Sequence, residues 1–153
     1  VTGTGADTPA GAASREGTGP PGTLVDANVL LDVLTEDRRW FPWSAEALAT
    51  AADRGPLWIN QVIYAETSTR FSRIEDLEEA LPARDYRRAV VPWEAAFLAG
   101  KAYLAYRRRG GTRTSPLPDF FIGAHAAVTG LRLLSRDRER YTTYFPTVTL
   151  ITP

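Results

Sequence analysis

The 153-residue chain contains no cysteine, no methionine and a single histidine, His125. Without cysteine there is no disulfide framework, no thiolate metal site and no cysteine nucleophile. One imidazole excludes the zinc hydrolases that need two. Lysine is nearly missing as well: Lys101 is the only one, so the basic side chains are otherwise arginines. The 18 basic residues balance 18 acidic ones. A formal charge of zero argues against a polycation that coats nucleic acid without selectivity, and leaves room only for a local basic rim. No apolar run approaches the roughly 18 residues of a membrane span and no secretory apolar core opens the chain, so no membrane contact and a cytoplasmic address are expected. What is present is ordinary for a globular protein: 44% apolar and 24% charged residues, in a length that suits one domain with a sizeable core.

Composition shifts near residue 22. Residues 1–22 are rich in Gly, Ala, Thr, Ser and Pro and have almost no large apolar side chain. Such a segment buries too little surface to offset its ordering entropy and reads as a disordered N-terminal arm, with the folded domain expected over residues 23–153. The absence of methionine leaves the true start open. No internal repeat follows. Thr23 to Asp26 reads as a short buried strand, and Asn28 to Leu34 as a helix with Val29, Leu30, Val33 and Leu34 inward. A second helix is predicted over Trp43 to Arg54, with Ser44 as its N-cap and Gly55-Pro56 as its stop. Leu57 to Asn60 is a strand, followed by a helix through Val62, Ile63, Ala65 and Glu66, and a further helix from Ile74 to Leu81 ends at Pro82. Pro92 opens a long helix, Trp93 to Arg109, whose inner stripe is Ala95, Leu98, Ala99, Ala102, Tyr103 and Tyr106. Gly110-Gly111 ends it. A polar loop then leads to a helix from Asp119 to about Thr129, closed by Gly130, and to strands at Leu131–Leu134 and Val148–Ile151. Short apolar strands alternating with amphipathic helices predict an α/β/α sandwich around a mainly parallel sheet of four to five strands.

In such sheets the functional crevice lies beyond the carboxyl ends of the strands. Four carboxylates map to that edge. Asp26 ends the first strand, Glu66 follows the second by one to two helical turns, Asp119 starts the helix after the Pro-bounded loop, and Asp137 follows the strand Leu131–Leu134. Each alone has an ordinary use: Asp26, Asn28 and Asp119 could cap helices, and Asp137 could sit in a turn. Four acids at one edge are another matter, because each pair about 4 Å apart costs roughly 4 kcal/mol at an effective dielectric near 20. A divalent cation is the simplest compensation. With carboxylates and waters as the only donors, that cation would be Mg²⁺ or Mn²⁺ rather than Zn²⁺.

Four stretches resemble the motifs of one family, in order and spacing over Thr23 to Pro153. Leu24-Val25-Asp26-Ala27-Asn28-Val29-Leu30-Leu31 is similar to the opening strand of PIN-domain ribonucleases, and Asn60-Gln61-Val62-Ile63-Tyr64-Ala65-Glu66 to their second acidic motif. Leu117-Pro118-Asp119-Phe120-Phe121-Ile122-Gly123-Ala124-His125-Ala126 and Leu133-Leu134-Ser135-Arg136-Asp137 resemble the third and fourth. Within that family the chain most resembles the VapC toxins of bacterial type II toxin–antitoxin systems, which are little more than a bare PIN domain. The resemblance implies a PIN-like fold and a metal-dependent endoribonuclease that uses Mg²⁺ or Mn²⁺ and needs no protein nucleophile. It implies Asp26, Glu66 and Asp119 as metal ligands, direct or through water. Asp137 would complete a second metal position or hold a water, while Asn28 and Ser135 would orient the carboxylates by hydrogen bonds. Ser135 stands where many relatives have threonine, and the hydroxyl is kept. The arm before residue 23 departs from the compact family pattern.

Arginines flank these acids. Arg107, Arg108, Arg109 and Arg113 bracket the loop that delivers Asp119, and Arg136, Arg138 and Arg140 surround Asp137. Guanidinium forks suit phosphate, so Arg107, Arg108, Arg109, Arg113 and Arg136 are expected to hold RNA, although arginines at a helix end also complement its dipole. His125, in an Ala-rich helix, reads as a packed, hydrogen-bonded side chain. The resemblance further implies an RNA substrate, a cognate VapB-like antitoxin, and a homodimer or a toxin–antitoxin hetero-oligomer. Trp40, Phe41 and Trp43 could serve such a contact or the core. Two rivals differ in kind. A haloacid-dehalogenase-type phosphatase would need a second Asp two residues after Asp26, where Asn28 cannot transfer a proton. A catalytically inactive PIN-like module that binds RNA or protein is the other.

Overall fold

The computed structural model describes residues 22–153. The expectation for the N-terminal arm therefore lies outside the described residues except at Gly22, which is buried and whose carbonyl accepts the Arg132 amide at 3.1 Å.

Five short strands form one parallel sheet, and helices cover both of its faces. In chain order the elements are β1 (Thr23–Val25), α1 (Ala27–Leu34), α2 (Phe41–Arg54), β2 (Leu57–Ile59), α3 (Gln61–Ser68), α4 (Ile74–Ala80), β3 (Tyr86–Arg88), α5 (Trp93–Arg108), α6 (Pro118–Thr129), β4 (Arg132–Leu134), α7 (Arg138–Tyr144) and β5 (Leu150–Ile151). Across the sheet they run β3-β2-β1-β4-β5. The central strand β1 is wholly buried, as continuous apolar runs in a sheet covered on both faces must be. Leu24, Val25, Ile59, Leu133 and Leu134 are fully enclosed. Register pairs Val25 with Leu134, so β1 and β4 reach their carboxyl ends side by side.

The long helix α5 buries Ala95, Ala99 and Ala102, with Leu98, Tyr103 and Tyr106 packed beside them, which is the predicted stripe. Gly130 closes α6 with φ of 73°, a left-handed conformation that a Cβ would strain. Inside α6, Gly123 lies so close to the Phe145 ring that an added Cβ would clash with it. Two elements escape the sequence pattern. β3 is Tyr-Arg-Arg with both arginines exposed, so no apolar alternation marks it; it exists through its pairing with Leu57–Ile59. α7 buries one side chain only, Tyr141.

α2 begins earlier than expected, and Ser44 is not its cap. Asp37 Oδ1 accepts the amides of Arg39 and Trp40 at 2.9 and 2.8 Å, and Pro42 presets φ in the first turn, so the helix opens at Phe41. Ser44 instead lies inside α2, fully buried, donating to Asp32 Oδ2 at 2.7 Å. Of the three aromatic residues near this start only Phe41 is exposed; Trp43 packs on the core and Trp40 lies beneath the Arg39 and Arg136 guanidinia.

Candidate functional site

The strand order locates the crevice. The chain runs outward from β1 to β2 to β3, then returns to place β4 on the other side of β1. Helices after β1 and β4 therefore diverge, and a crevice opens beyond their carboxyl ends. Asp26 follows β1 directly as the N-cap residue of α1, but its carboxylate caps nothing. Ser135 follows β4.

Asp26 is 3% exposed, and burial is the largest influence on it, raising its pKa. Hydrogen bonds oppose that rise. Ser135 Oγ donates to Asp26 Oδ2 at 2.8 Å, Tyr141 OH donates to the same oxygen at 2.9 Å, and Asn28 Nδ2 approaches it at 3.4 Å. The side-chain donors converge on Oδ2, which leaves Oδ1 the less encumbered oxygen. Asn28 also donates to Ser135 Oγ at 3.2 Å and accepts the Arg136 amide on Oδ1 at 3.2 Å. Arg136 is in turn gripped by Asp32, Nε to Oδ2 at 2.7 Å and Nη2 to Oδ1 at 3.1 Å. A polar chain thus runs from Ser44 on α2 through Asp32, Arg136 and Asn28 to Asp26.

The other acids come from three further elements. Glu66 lies in the second turn of α3, half-buried. Its pKa rises to about 7, first through burial and then through the charges of Asp26 and Asp119. Asp119 lies in the first turn of α6, where Leu117 and not Asp119 is the N-cap, so its carboxylate is not consumed by capping. Its pKa rises to about 6 through burial and the charge of Asp26, with Arg140 opposing and Asp137 adding to the rise. Asp137 is the N-cap of α7, its Oδ1 accepting the Arg140 amide at 3.2 Å. All four acids share one negative field. Hard oxygen donors under mutual repulsion suit Mg²⁺ or Mn²⁺ in chemistry and charge. The preassembled geometry is a different matter. Among the described residues, no group of three or more His, Cys, Asp or Glu side chains is gathered closely enough to hold a metal ion. Arg140 stands between two of the acids instead, its Nε 3.5 Å from Asp119 Oδ2 and 3.8 Å from Asp137 Oδ2.

The arginines divide into two groups. Arg108, Arg109 and Arg113 are exposed, with Arg109 stacked on the Tyr144 ring at 5.7 Å. Arg107 is also exposed, but its Nη1 donates to the carbonyls of Gly111 at 2.9 Å and Arg113 at 3.3 Å, tying down the turn after α5. Arg136, also expected on the rim, is paired with Asp32 and stays 29% exposed, and its guanidinium covers Trp40 at 4.9 Å. His125 is 2% exposed, and its Nδ1 lies 3.0 Å from Asn60 Nδ2. Asn60 Oδ1 already accepts the Ile63 amide at 2.9 Å, so the amide nitrogen must donate and His125 Nδ1 must accept. Burial lowers the imidazole's pKa, which favours the neutral ring that bond requires. The pair ties the start of α3, which carries Glu66, to α6, which carries Asp119. Sequence reasoning missed Tyr141 and Asp32. Tyr141 sits in a helix with no apolar period, and nothing in the chain marks Asp32 as the partner of Arg136, 104 residues away.

Comparison with known proteins adds two findings. The PIN domain family model matches residues 23–145. Among solved structures, VapBC2 from Rickettsia felis bound to a DNA fragment from its promoter is similar with a TM-score of 0.64 and 13% identity, covering 85% of this chain and 97% of that one. VapBC-1 from nontypeable Haemophilus influenzae gives 0.64 at 14% identity, over 85% and 96% of the two chains. A toxin–antitoxin complex from Klebsiella pneumoniae gives 0.63 at 19%, over 86% and 98%. At these identities the likeness is one of fold. No curated protein sequence matches the chain.

Proposed function

This chain belongs to the PIN-domain family, and on that basis we propose that it is a metal-dependent endoribonuclease, the toxin component of a type II toxin–antitoxin pair. One observation carries the reading: Asp26, Glu66 and Asp119, drawn from three separate elements, have their pKa values raised by burial and by acidic neighbours at the β1/β4 crevice, with Asp137 among the charges acting on Asp26 and Asp119. Structural ion networks do this too, but one partly exposed arginine, Arg140, serves two of these acids, and a divalent cation would offset the repulsion that remains. Asp26, Glu66 and Asp119 would hold Mg²⁺ or Mn²⁺, with Asp137 at a second position. When bound, the ion would activate a water and offset charge at the scissile phosphate. Ser135, Tyr141 and Asn28 hold Asp26 in a single orientation despite its burial. Arg108, Arg109 and Arg113 would meet the RNA backbone from the exposed side of the α5–α6 loop. The structural relatives include toxin–antitoxin complexes, which supports a VapB-like antitoxin as partner, in a homodimer or hetero-oligomer in the cytoplasm. Among the described residues no helix is long and apolar enough to cross a membrane.

A second reading has its own observation. The lack of a gathered three-acid group among the described residues favours a PIN-like module that binds RNA or protein without cutting. Incubation with RNA under Mg²⁺, Mn²⁺ or EDTA separates the two. The nuclease reading expects cleavage with either ion, none in EDTA, and a loss of at least about 100-fold on Asp119→Asn. Metal-independent RNA retention with no cleavage under any condition would establish the binding module instead.

A further inference from the structure

Arg140 is the one cation, among the described residues, that forms an ion pair with any of the four crevice acids. Its neighbours are committed elsewhere: Arg136 to Asp32, and Arg109 to the Tyr144 ring. Both of its pairs run through Nε, at 3.5 Å to Asp119 and 3.8 Å to Asp137. Neither is close or well aimed enough to be a hydrogen bond, and the Arg140 side chain remains 30% exposed. Such pairs are weak and readily exchanged. The guanidinium nevertheless has a defined seat, 5.8 Å above the Phe120 ring, while its backbone amide is fixed to Asp137 Oδ1. It also borders a cavity of about 330 Å³ with Tyr106, Arg109 and Tyr144, so a displaced guanidinium has space to move into.

We propose that Arg140 is a built-in counter-cation that competes with a divalent ion for Asp119 and Asp137. The proposal rests on the metal-dependent reading above and adds a residue to it. Without metal, one guanidinium lowers the repulsion between two acids of the crevice, and by standing between them it keeps them from closing on a common point. Arg140 must release both carboxylates before they can serve a divalent ion. Its presence therefore sets the metal concentration at which the site fills.

The consequence is opposite in sign to ordinary structural damage. Removing a residue that merely supports the site weakens metal binding, whereas removing a competitor strengthens it. Mn²⁺ binding to the full chain, followed by calorimetry and by electron paramagnetic resonance, is to be measured for the wild type, Arg140→Gln, Arg140→Met and Arg140→Lys. Arg140→Met keeps an aliphatic stem over Phe120 and answers the question should Arg140→Gln fold poorly. The neutral variants are expected to bind Mn²⁺ about three- to tenfold more tightly, the range for two partly exposed ion pairs, and Arg140→Lys to stay within about twofold of wild type. In EDTA both neutral variants should melt below wild type, and saturating Mn²⁺ should narrow the gap. Equal or weaker Mn²⁺ binding by a folded neutral variant, with wild type binding well, overturns the role of Arg140 and leaves the metal-dependent reading standing. Absence of Mn²⁺ binding in wild type and all variants overturns both.

Discussion

Substituting Tyr141 by Phe removes one oxygen from the core and little else. The ring is 1% exposed and stays in place, so any effect reports the hydroxyl, which donates to Asp26 Oδ2 at 2.9 Å. Hydrogen bonds to charged groups contribute about 1.5–3 kcal/mol, and Ser135 still holds the same oxygen at 2.8 Å, so the lower half of that range applies, about 1.5–2 kcal/mol. For a domain of this size that loss corresponds to a fall in Tm of roughly 4–8 °C. The size of the penalty must also depend on the charge of Asp26. Its pKa in the folded protein is raised by burial, so lowering the pH neutralises it in the native state and removes the charge assistance. Urea melts of wild type and Tyr141→Phe in EDTA, compared at alkaline and acid pH, should show the difference shrinking toward acid. In an Asp26→Asn background the same substitution should cost less by about 1 kcal/mol, a coupling that a double-mutant cycle reads directly. An equal penalty at both pH values and in both backgrounds would refute the idea that Tyr141 acts on the carboxylate, and would leave it a packing residue.

Glu66, with its folded pKa at about 7 against an ordinary 4.5, binds its proton more tightly in the native state, so the metal-free protein loses stability as pH rises from 4.5 through 7. Glu66→Gln abolishes that loss: its Tm in EDTA should exceed wild type by roughly 3 °C at pH 8 and match it near pH 4.5, as differential scanning fluorimetry would show. Arg136→Ala strands Asp32, which is 3% exposed, with Ser44 as its remaining partner. Removing one member of a buried pair costs about 3–5 kcal/mol; because Arg136 is 29% exposed, about 2–3 kcal/mol is expected from chemical denaturation. His125 should carry its proton on Nε2 near neutral pH, visible in long-range nitrogen–proton correlation spectra. A proton on Nδ1 would mean that Asn60 does not donate to it.

Much of this protein was legible in the chain. The apolar runs at Leu24-Val25, Leu57 to Ile59 and Leu133-Leu134 announce strands because a strand buried on both faces can tolerate little else. The small-residue stripe of α5 is likewise a local signal, since Ala95, Ala99 and Ala102 recur at helical spacing wherever the helix ends up. Asp26, Glu66, Asp119 and Asp137 could be picked out as acids that follow such elements. The strand Tyr86–Arg88 could not, since an exposed edge needs no apolar alternation, and α7 could not, since one buried ring gives no period.

The sequence by itself therefore determined the alternation of strands and helices, the parallel sheet and the set of acids, because periodicity and strand-end position are properties of short stretches. Tertiary structure alone decided which partners those acids have. Ser135 and Tyr141 reach Asp26 across 109 and 115 residues, and Arg136 pairs with Asp32 across 104. It also decided that Arg140 rather than a third carboxylate stands beside Asp119 and Asp137. Partnerships of this kind follow from the parallel pairing of β1 with β4 at the sheet centre and from which side chains that pairing brings together, and neither is encoded in any local window.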